Sequence, residues 1–199
     1  TPVKEVDLCG HATLATAFVM FEIFNYNKPQ INFHTRSGVL TVKKENDFLK
    51  MNFPKDNIQK IESLPLITEA IGIKPLETYK GRDDYMSILP SQKDVEELNP
   101  DFRLISKLGS RGIICTAKGK KVDFVSRCFF PQYGIDEDPV TGSAHTTLTP
   151  YWAEKLGKKK LIAKQISKRE GNLICELLDE RVEISGQARL YLTGEINIE

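Results

Sequence analysis

The chain has 199 residues, 40% of them hydrophobic, with 28 Lys and Arg against 27 Asp and Glu and a formal charge of +1. That is enough apolar material for a real core and enough length for one large domain or two small ones. The near-neutral balance gives no electrostatic case for nucleic acid or an anionic membrane as partner, and no apolar run approaches the roughly 18 residues of a spanning helix.

The opening stretch Thr1-Pro2-Val3-Lys4-Glu5-Val6-Asp7 reads as the tail of a strand or loop running into Cys9-Gly10, not as a targeting peptide, so the chain is expected to be a fragment or a piece of something longer. From His11 to Phe24 the sequence is apolar nearly all round, which predicts a helix buried on every side. Asn25 to Pro29 stops it. Alternating runs at Ile31–His34, Val39–Val42 and Phe48–Phe53 predict antiparallel strands, with Ser37-Gly38 and Glu45-Asn46-Asp47 as turns.

Pro54 to Asn57 reads as a linker, and Ile58 to Ile73 includes a short helix. Tyr85–Leu89 is a predicted strand, and Asp94–Leu98 begins a helix that Pro100 interrupts. Gly112–Ala117 and Val122–Phe130 are β-like and joined at Lys118-Gly119-Lys120. Ser143–Leu156 reads as a second helix, closed by Gly157 and bent or loosened by Pro150. Gln165 to Ile198 alternates like three strands. Strands outnumber helices and the order is not βαβα, so an α+β fold with strands curled round a central helix fits best.

Cys9, Cys115, Cys128 and Cys175 form no C-x-x-C pair, and His11, His34 and His145 show no metal-ligand spacing with them. All four cysteines read as reduced thiols of a cytoplasmic protein. The basic stretch Lys155–Lys160, with Lys164, Lys168 and Arg169, reads as a solvated helix end; aromatic interleaving of the kind nucleic-acid binding uses is absent.

The informative feature is a turn used twice. In Cys9-Gly10-His11-Ala12 and in Thr141-Gly142-Ser143-Ala144, a glycine precedes small residues that open a helix. Glycine allows close approach, and the free N–H groups of a first helical turn make an anion site. Two such starts facing each other across a crevice would grip a carboxylate with no metal or nucleotide cofactor. Each turn carries titratable neighbours: Cys9 and His11 at the first, Asp138 and His145 at the second. The run Asp136-Glu137-Asp138 sets three carboxylates side by side, where repulsion or burial would raise one toward a usable acid. An ordinary pair of helix starts beside a solvated acidic loop is the alternative.

Leu8–Ala17 (LCGHATLATA) and Gly134–His145 (GIDEDPVTGSAH) resemble the two signature segments of the PhzF-like, or phenazine-biosynthesis-like, proteins, whose fold is that of diaminopimelate epimerase. The resemblance runs over essentially the whole chain, through Thr35–Gly38, Phe53-Pro54, Ser126–Pro131 and Ser167–Arg169. It implies two similar lobes, each a strongly curved, mostly antiparallel sheet around a central helix, with residues 1–55 as the remainder of the N-terminal lobe, 188–199 returning to it, and 56–187 as the C-terminal lobe. It further implies a homodimer and a cofactor-independent isomerisation that moves a proton on a small amino-acid-like acid. Carried over by position, Asp138, His11 and Cys9 would be catalytic, and Gly10, Ala12, Thr141, Gly142, Ser143 and Ala144 would bind substrate, with Arg169 as a further carboxylate ligand. Cys9 takes the place of one of the epimerase's two catalytic cysteines, and the partner thiol is absent, which argues against thiol–thiol epimerisation. The family's N-terminal portion, with a glutamate that is its principal acid/base, has no counterpart here. Two expectations follow: an isomerase whose chain is incomplete, or a truncated, non-catalytic remnant that binds a small anion or another subunit.

Overall fold

A computed structural model describes Val3, Glu5, Val6 and residues 9–197. Helix α1 (Gly10–Phe18) widens into a π-helical stretch, Val19–Ile23, and ends where Asn25 adopts a left-handed φ of 51°. Asparagine enters that region more readily than most residues, which places the stop where the sequence predicts it. A meander follows: β1 (Gln30–Thr35), β2 (Gly38–Glu45) and β3 (Phe48–Pro54). Strand β3 alternates, burying Leu49, Met51 and Phe53, and packs against α1.

Helix α1 is not buried on every side. Within Gly10–Ile23 only Gly10, Ala17 and Phe21 are buried, while His11, Ala12, Ala15, Thr16 and Ile23 face solvent. Apolar composition all round predicts cover all round, but among the described residues only one face of the helix is covered, by β3, by Gly186 of β12 beside Leu14 and by the start of α5. The exposed face is mostly small or polar, so leaving it wet forfeits little.

Next come β4 (Gln59–Ile61), α2 (Pro65–Ile71), β5 (Glu77–Lys80), β6 (Asp84–Ile88), α3 (Gln92–Glu96) and α4 (Phe102–Ile105). Ser91 and Asp101 cap the two short helices through side-chain oxygens, as residues of those types do. Strands β7 (Gly112–Lys118) and β8 (Phe124–Phe130) pair antiparallel, and β9 (Ile135–Asp138) lies against β8. Helix α5 (Gly142–Leu156) then leads into β10 (Lys160–Gln165), β11 (Gly171–Leu177) and β12 (Arg181–Gly186). The strands join one sheet in the order β1-β2-β3-β12-β11-β10-β8-β7-β6-β5-β4, parallel only at β6–β7 and β8–β10. This is the expected α+β architecture, and the β3–β12 ladder ties the first meander to the rest.

Helix α5 is the central helix. Ala144 to Thr149 and Tyr151 to Ala153 are all buried. Trp152 stacks on Phe124 at 5.8 Å and donates from Nε1 to Thr116 Oγ1, and the Tyr151 hydroxyl donates to Glu77 Oε2 at 3.0 Å. Gly157, at φ 65°, closes the helix as predicted. The helix runs unbroken through Pro150. Proline has no N–H for the Thr146 carbonyl four residues back, and that carbonyl instead accepts from Asp56 N at 3.3 Å. The loosened turn thus holds the predicted linker against the helix.

Residues 187–197 carry no helix or strand, so the last strand expected around Ala188 to Ile198 is not formed over the described part. Its Leu190, Tyr191, Leu192 and Ile196 are exposed, and alternation without an apolar surface to lie on does not make a strand. All four cysteines are free thiols. Burial pushes Cys115 and Cys175 up to about 12 and Cys128 well above its ordinary value, as expected of small hydrophobes in a core. No helix among the described residues is long and apolar enough to cross a membrane.

Candidate active site

The two glycine turns fold alike. Cys9, before α1, has φ −125° and ψ 101°; Thr141, before α5, has φ −113° and ψ 96°. Neither residue caps its helix through a side chain, and neither first turn holds an acidic residue. For cysteine this follows from a poor acceptor. For threonine it is diagnostic, because a good capping hydroxyl is spent elsewhere: Thr141 Oγ1 donates to Asp138 Oδ2 at 2.6 Å. Both helix starts therefore present first-turn N–H groups, and the positive ends of their dipoles, without an anion of the protein's own.

The starts face each other. A β-carbon on Gly10 would stand 3.1 Å from Gly142 Cα, and the Phe53 ring lies beneath both glycines. Beside this junction opens a cleft of about 270 Å³ lined by Cys9, Gly10, His11, Asp138, Thr141, Gly142 and Ser143, together with Val6, Arg111, Phe130, Tyr133 and Ile135. Seven of the ten residues singled out in the sequence meet here. Three do not line it. Ala12 is exposed on α1, and Ala144 is fully buried in the core. Arg169 is exposed in the tight turn between β10 and β11, where Ser167 Oγ accepts from Glu170 N, and it is not among the residues that line the cleft.

Asp138 is 7% exposed. Its neighbours do not share its surroundings: Asp136 is exposed, and both Glu137 oxygens accept from Arg127, at 2.7 and 2.9 Å. The acidic run is thus split among three environments, not pooled as mutually repelling carboxylates. Gln165 fixes the Asp138 turn. Its Nε2 donates to the Asp138 carbonyl and to Thr141 Oγ1, and its Oε1 accepts from Thr141 N at 2.8 Å. His145, flagged with the second turn, points into the core instead. Its Nδ1 pairs with the Thr141 carbonyl at 2.8 Å, its Nε2 has no partner among the described residues, and burial lowers its pKa to about 4.

The residue that sequence reasoning misses is Arg111. Its Nε donates to Asp84 Oδ1 at 2.8 Å, its Nη2 to Asp84 Oδ2, and its Nη1 to Ser143 Oγ at 3.0 Å. The guanidinium lies 4.6 Å from the centre of the Phe130 ring. Burial pushes the Asp84 carboxyl up, against the opposing pull of Arg111. No local signal marks Arg111, since its partners lie 27 and 32 residues away in the chain.

One part of the cleft is therefore all donors: two uncapped helix starts, a hydroxyl and a guanidinium. Asp138 brings a carboxylate to the same space, and Cys9 and His11 add groups able to carry a proton. Among the described residues no three His, Cys, Asp or Glu side chains gather as metal ligands.

The family model for phenazine biosynthesis-like proteins (PhzC-PhzF) matches residues 1–194. An uncharacterized isomerase of Pseudomonas aeruginosa is 46% identical over 198 residues, an alignment covering 100% of this chain and 76% of that protein. The crystal structure of a PhzF-family phenazine biosynthesis protein from Enterococcus faecalis superposes with a TM-score of 0.94 at 44% identity, over 100% of this chain and 76% of that one. A predicted epimerase from Pseudomonas aeruginosa shares the fold, with a TM-score of 0.71 at 15% identity over 98% of this chain and 77% of that one.

Proposed function

This chain belongs to the phenazine biosynthesis-like family, and we propose that it is a cofactor-independent isomerase that moves a proton on a small amino-acid-like carboxylate held beside the two helix starts. The convergence of α1 and α5 at Gly10 and Gly142 carries the reading. It gives a cradle of backbone donors with no internal anion, next to a buried carboxylate. In this reading the substrate carboxylate sits on the N–H groups after Gly10 and Gly142 and on the Ser143 hydroxyl. Asp138 takes or returns the proton, or holds the substrate's polar group while it moves. His11 and Cys9 stand at the α1 side of the same cleft to orient the substrate or assist the relay. Acid/base work of this kind contributes about 10²–10⁴-fold when the group is in place. The working assembly in this reading is a homodimer, which light scattering tests.

The chemistry is tested by incubating the protein with a panel of small amino-acid-like acids in deuterated water and reading deuterium at carbon by NMR. Incorporation that Asp138→Asn abolishes, with binding retained, is the expected result. Absence of deuterium in every acid shown to bind would overturn the proposal.

A further inference from the structure

Arg111 is held more rigidly than a surface arginine, and what it does to Ser143 follows from hydrogen-bond bookkeeping. Asp84, 3% exposed, takes two of its N–H groups side by side, the paired geometry in which a guanidinium is best fixed. The Phe130 ring supports the plane of the group. A third N–H, on Nη1, goes to Ser143 Oγ. A serine hydroxyl has one hydrogen to give and two lone pairs to receive. With a lone pair occupied by Arg111, the hydroxyl hydrogen must turn away from the guanidinium, and the described residues offer it no acceptor. Ser143 and Arg111 both line the cleft, and both also border a neighbouring cavity of about 290 Å³ with Asp56, Asp83 and Asp84; the cleft is the side to which Gly10 and Gly142 bring the two helix starts.

We propose that Arg111, locked by Asp84, is a positioning residue that turns the Ser143 hydroxyl hydrogen into the cleft, and that this makes the cleft select an acceptor-only group, an ionised carboxylate, over a carboxamide of the same shape. The proposal rests on the reading of the cleft as a carboxylate site. It extends that reading to a side chain that acts through another: Arg111 sets the direction of a donor and need not touch the ligand. An amide presented to Ser143 and the helix starts would bring its own N–H groups against donors, and unpaired donors in a half-buried site are penalised.

The test uses benzoate and benzamide, a carboxylate and a carboxamide of matched shape, titrated against the protein by ligand-observed NMR. The unmodified protein is expected to prefer benzoate by about tenfold to a hundredfold, the usual worth of a charged hydrogen bond. Arg111→Gln and Ser143→Ala should each remove most of that preference, and combining them should add less than about twofold, since contacting residues in one network are not additive. Arg111→Lys, which keeps the charge but not the fork, should also lose it. Should Arg111→Gln fail to fold because it strands Asp84, the paired Asp84→Asn/Arg111→Gln protein removes the buried charge as well and carries the same expectation. Three results overturn the inference: no benzoate preference in the unmodified protein, full preference in a folded Arg111 variant including Arg111→Lys, or losses that add, which would make Arg111 a direct ligand. An intact preference that follows this pattern, with no deuterium exchange, sinks the isomerase reading alone and leaves Arg111 in its role.

Discussion

Gly10 and Gly142 touch backbone to backbone: a β-carbon built on the second would lie 3.2 Å from the α-carbon of the first. Neither glycine has a positive φ, so the left-handed region is not the reason for either. Contact is. Two helices can bring their first turns to one cleft only if nothing projects between them, and glycine is the one residue that projects nothing.

Gly142→Ala sets two effects against each other. Alanine in place of glycine favours a helix by at most about 1 kcal/mol, and less at its first position. Forcing two backbones apart in a packed site costs about 1–3 kcal/mol, so the clash wins. The expected result is a net loss of about 1–2 kcal/mol, read as a fall in Tm of roughly 2–8 °C for a chain of this size. Proton exchange on any bound acid should drop further than the stability does. An unchanged Tm with unchanged exchange would show that the two starts separate freely and do not form one site.

Thr141→Val keeps the side-chain shape and removes the hydroxyl that donates to Asp138 and accepts from Gln165. Leaving buried partners unsatisfied costs about 1–3 kcal/mol. The uncapped start of α5 should be unaffected, because that hydroxyl never capped it. Urea unfolding should show the loss while benzoate binding changes little. Equal damage to binding would mean that the Asp138 turn and the helix start are a single unit.

Asp56 holds the segment between β3 and β4. Its carboxylate accepts from Thr147 Oγ1 at 2.8 Å and from Arg82 N at 3.2 Å, and its own N–H reaches the carbonyl freed by Pro150. Asp56→Ala keeps only the last of these and should cost about 1–2 kcal/mol. Limited proteolysis should then cut within residues 55–58 under conditions that leave the unmodified protein whole. Resistance equal to the unmodified protein would mean that the backbone contact alone suffices.

What the sequence reveals and what it hides divide along chain separation. Helix α5 is legible because its signals are local: small residues after Gly142, an apolar body, Gly157 at the end. The meander β1–β3 is legible for the same reason. Strands β4 and β5 are not, since Gln59-Lys60-Ile61 and Glu77-Thr78-Tyr79-Lys80 are short and polar and exist because a neighbouring strand pairs with them. The misjudged cover of α1 is a tertiary matter too: composition reports what a helix tolerates, not which faces the sheet reaches. In the cleft, the glycine turns and Asp138 announce themselves through one motif each. Arg111 gains its meaning from Asp84 and Ser143 and is silent without them, whereas Arg169, conspicuous beside Lys168, is exposed in a turn and does not line the cleft.

His145 gives the fold a pH dependence whose sign can be worked out. The Thr141 carbonyl can only accept, so Nδ1 carries the hydrogen and Nε2 is a bare, buried acceptor without a partner among the described residues. The ring is neutral in the folded protein. Burial lowers its pKa to about 4, with the Thr141 hydrogen bond opposing, against an ordinary value of 6.5. Because the unfolded chain takes up the proton first, stability is fully present above about pH 6.5 and is lost as pH falls toward 4. At ~1.4 kcal/mol per pH unit over that interval, the loss is roughly 3 kcal/mol at most. Urea unfolding between pH 7.5 and 4 should show that decline, and His145→Asn, which does not titrate, should flatten it by a similar amount even though it starts less stable. Parallel pH curves for the two proteins would mean that the ring is not held neutral and dry on the buried face of α5, and the packing that aims the α5 start at the cleft would then need a different account.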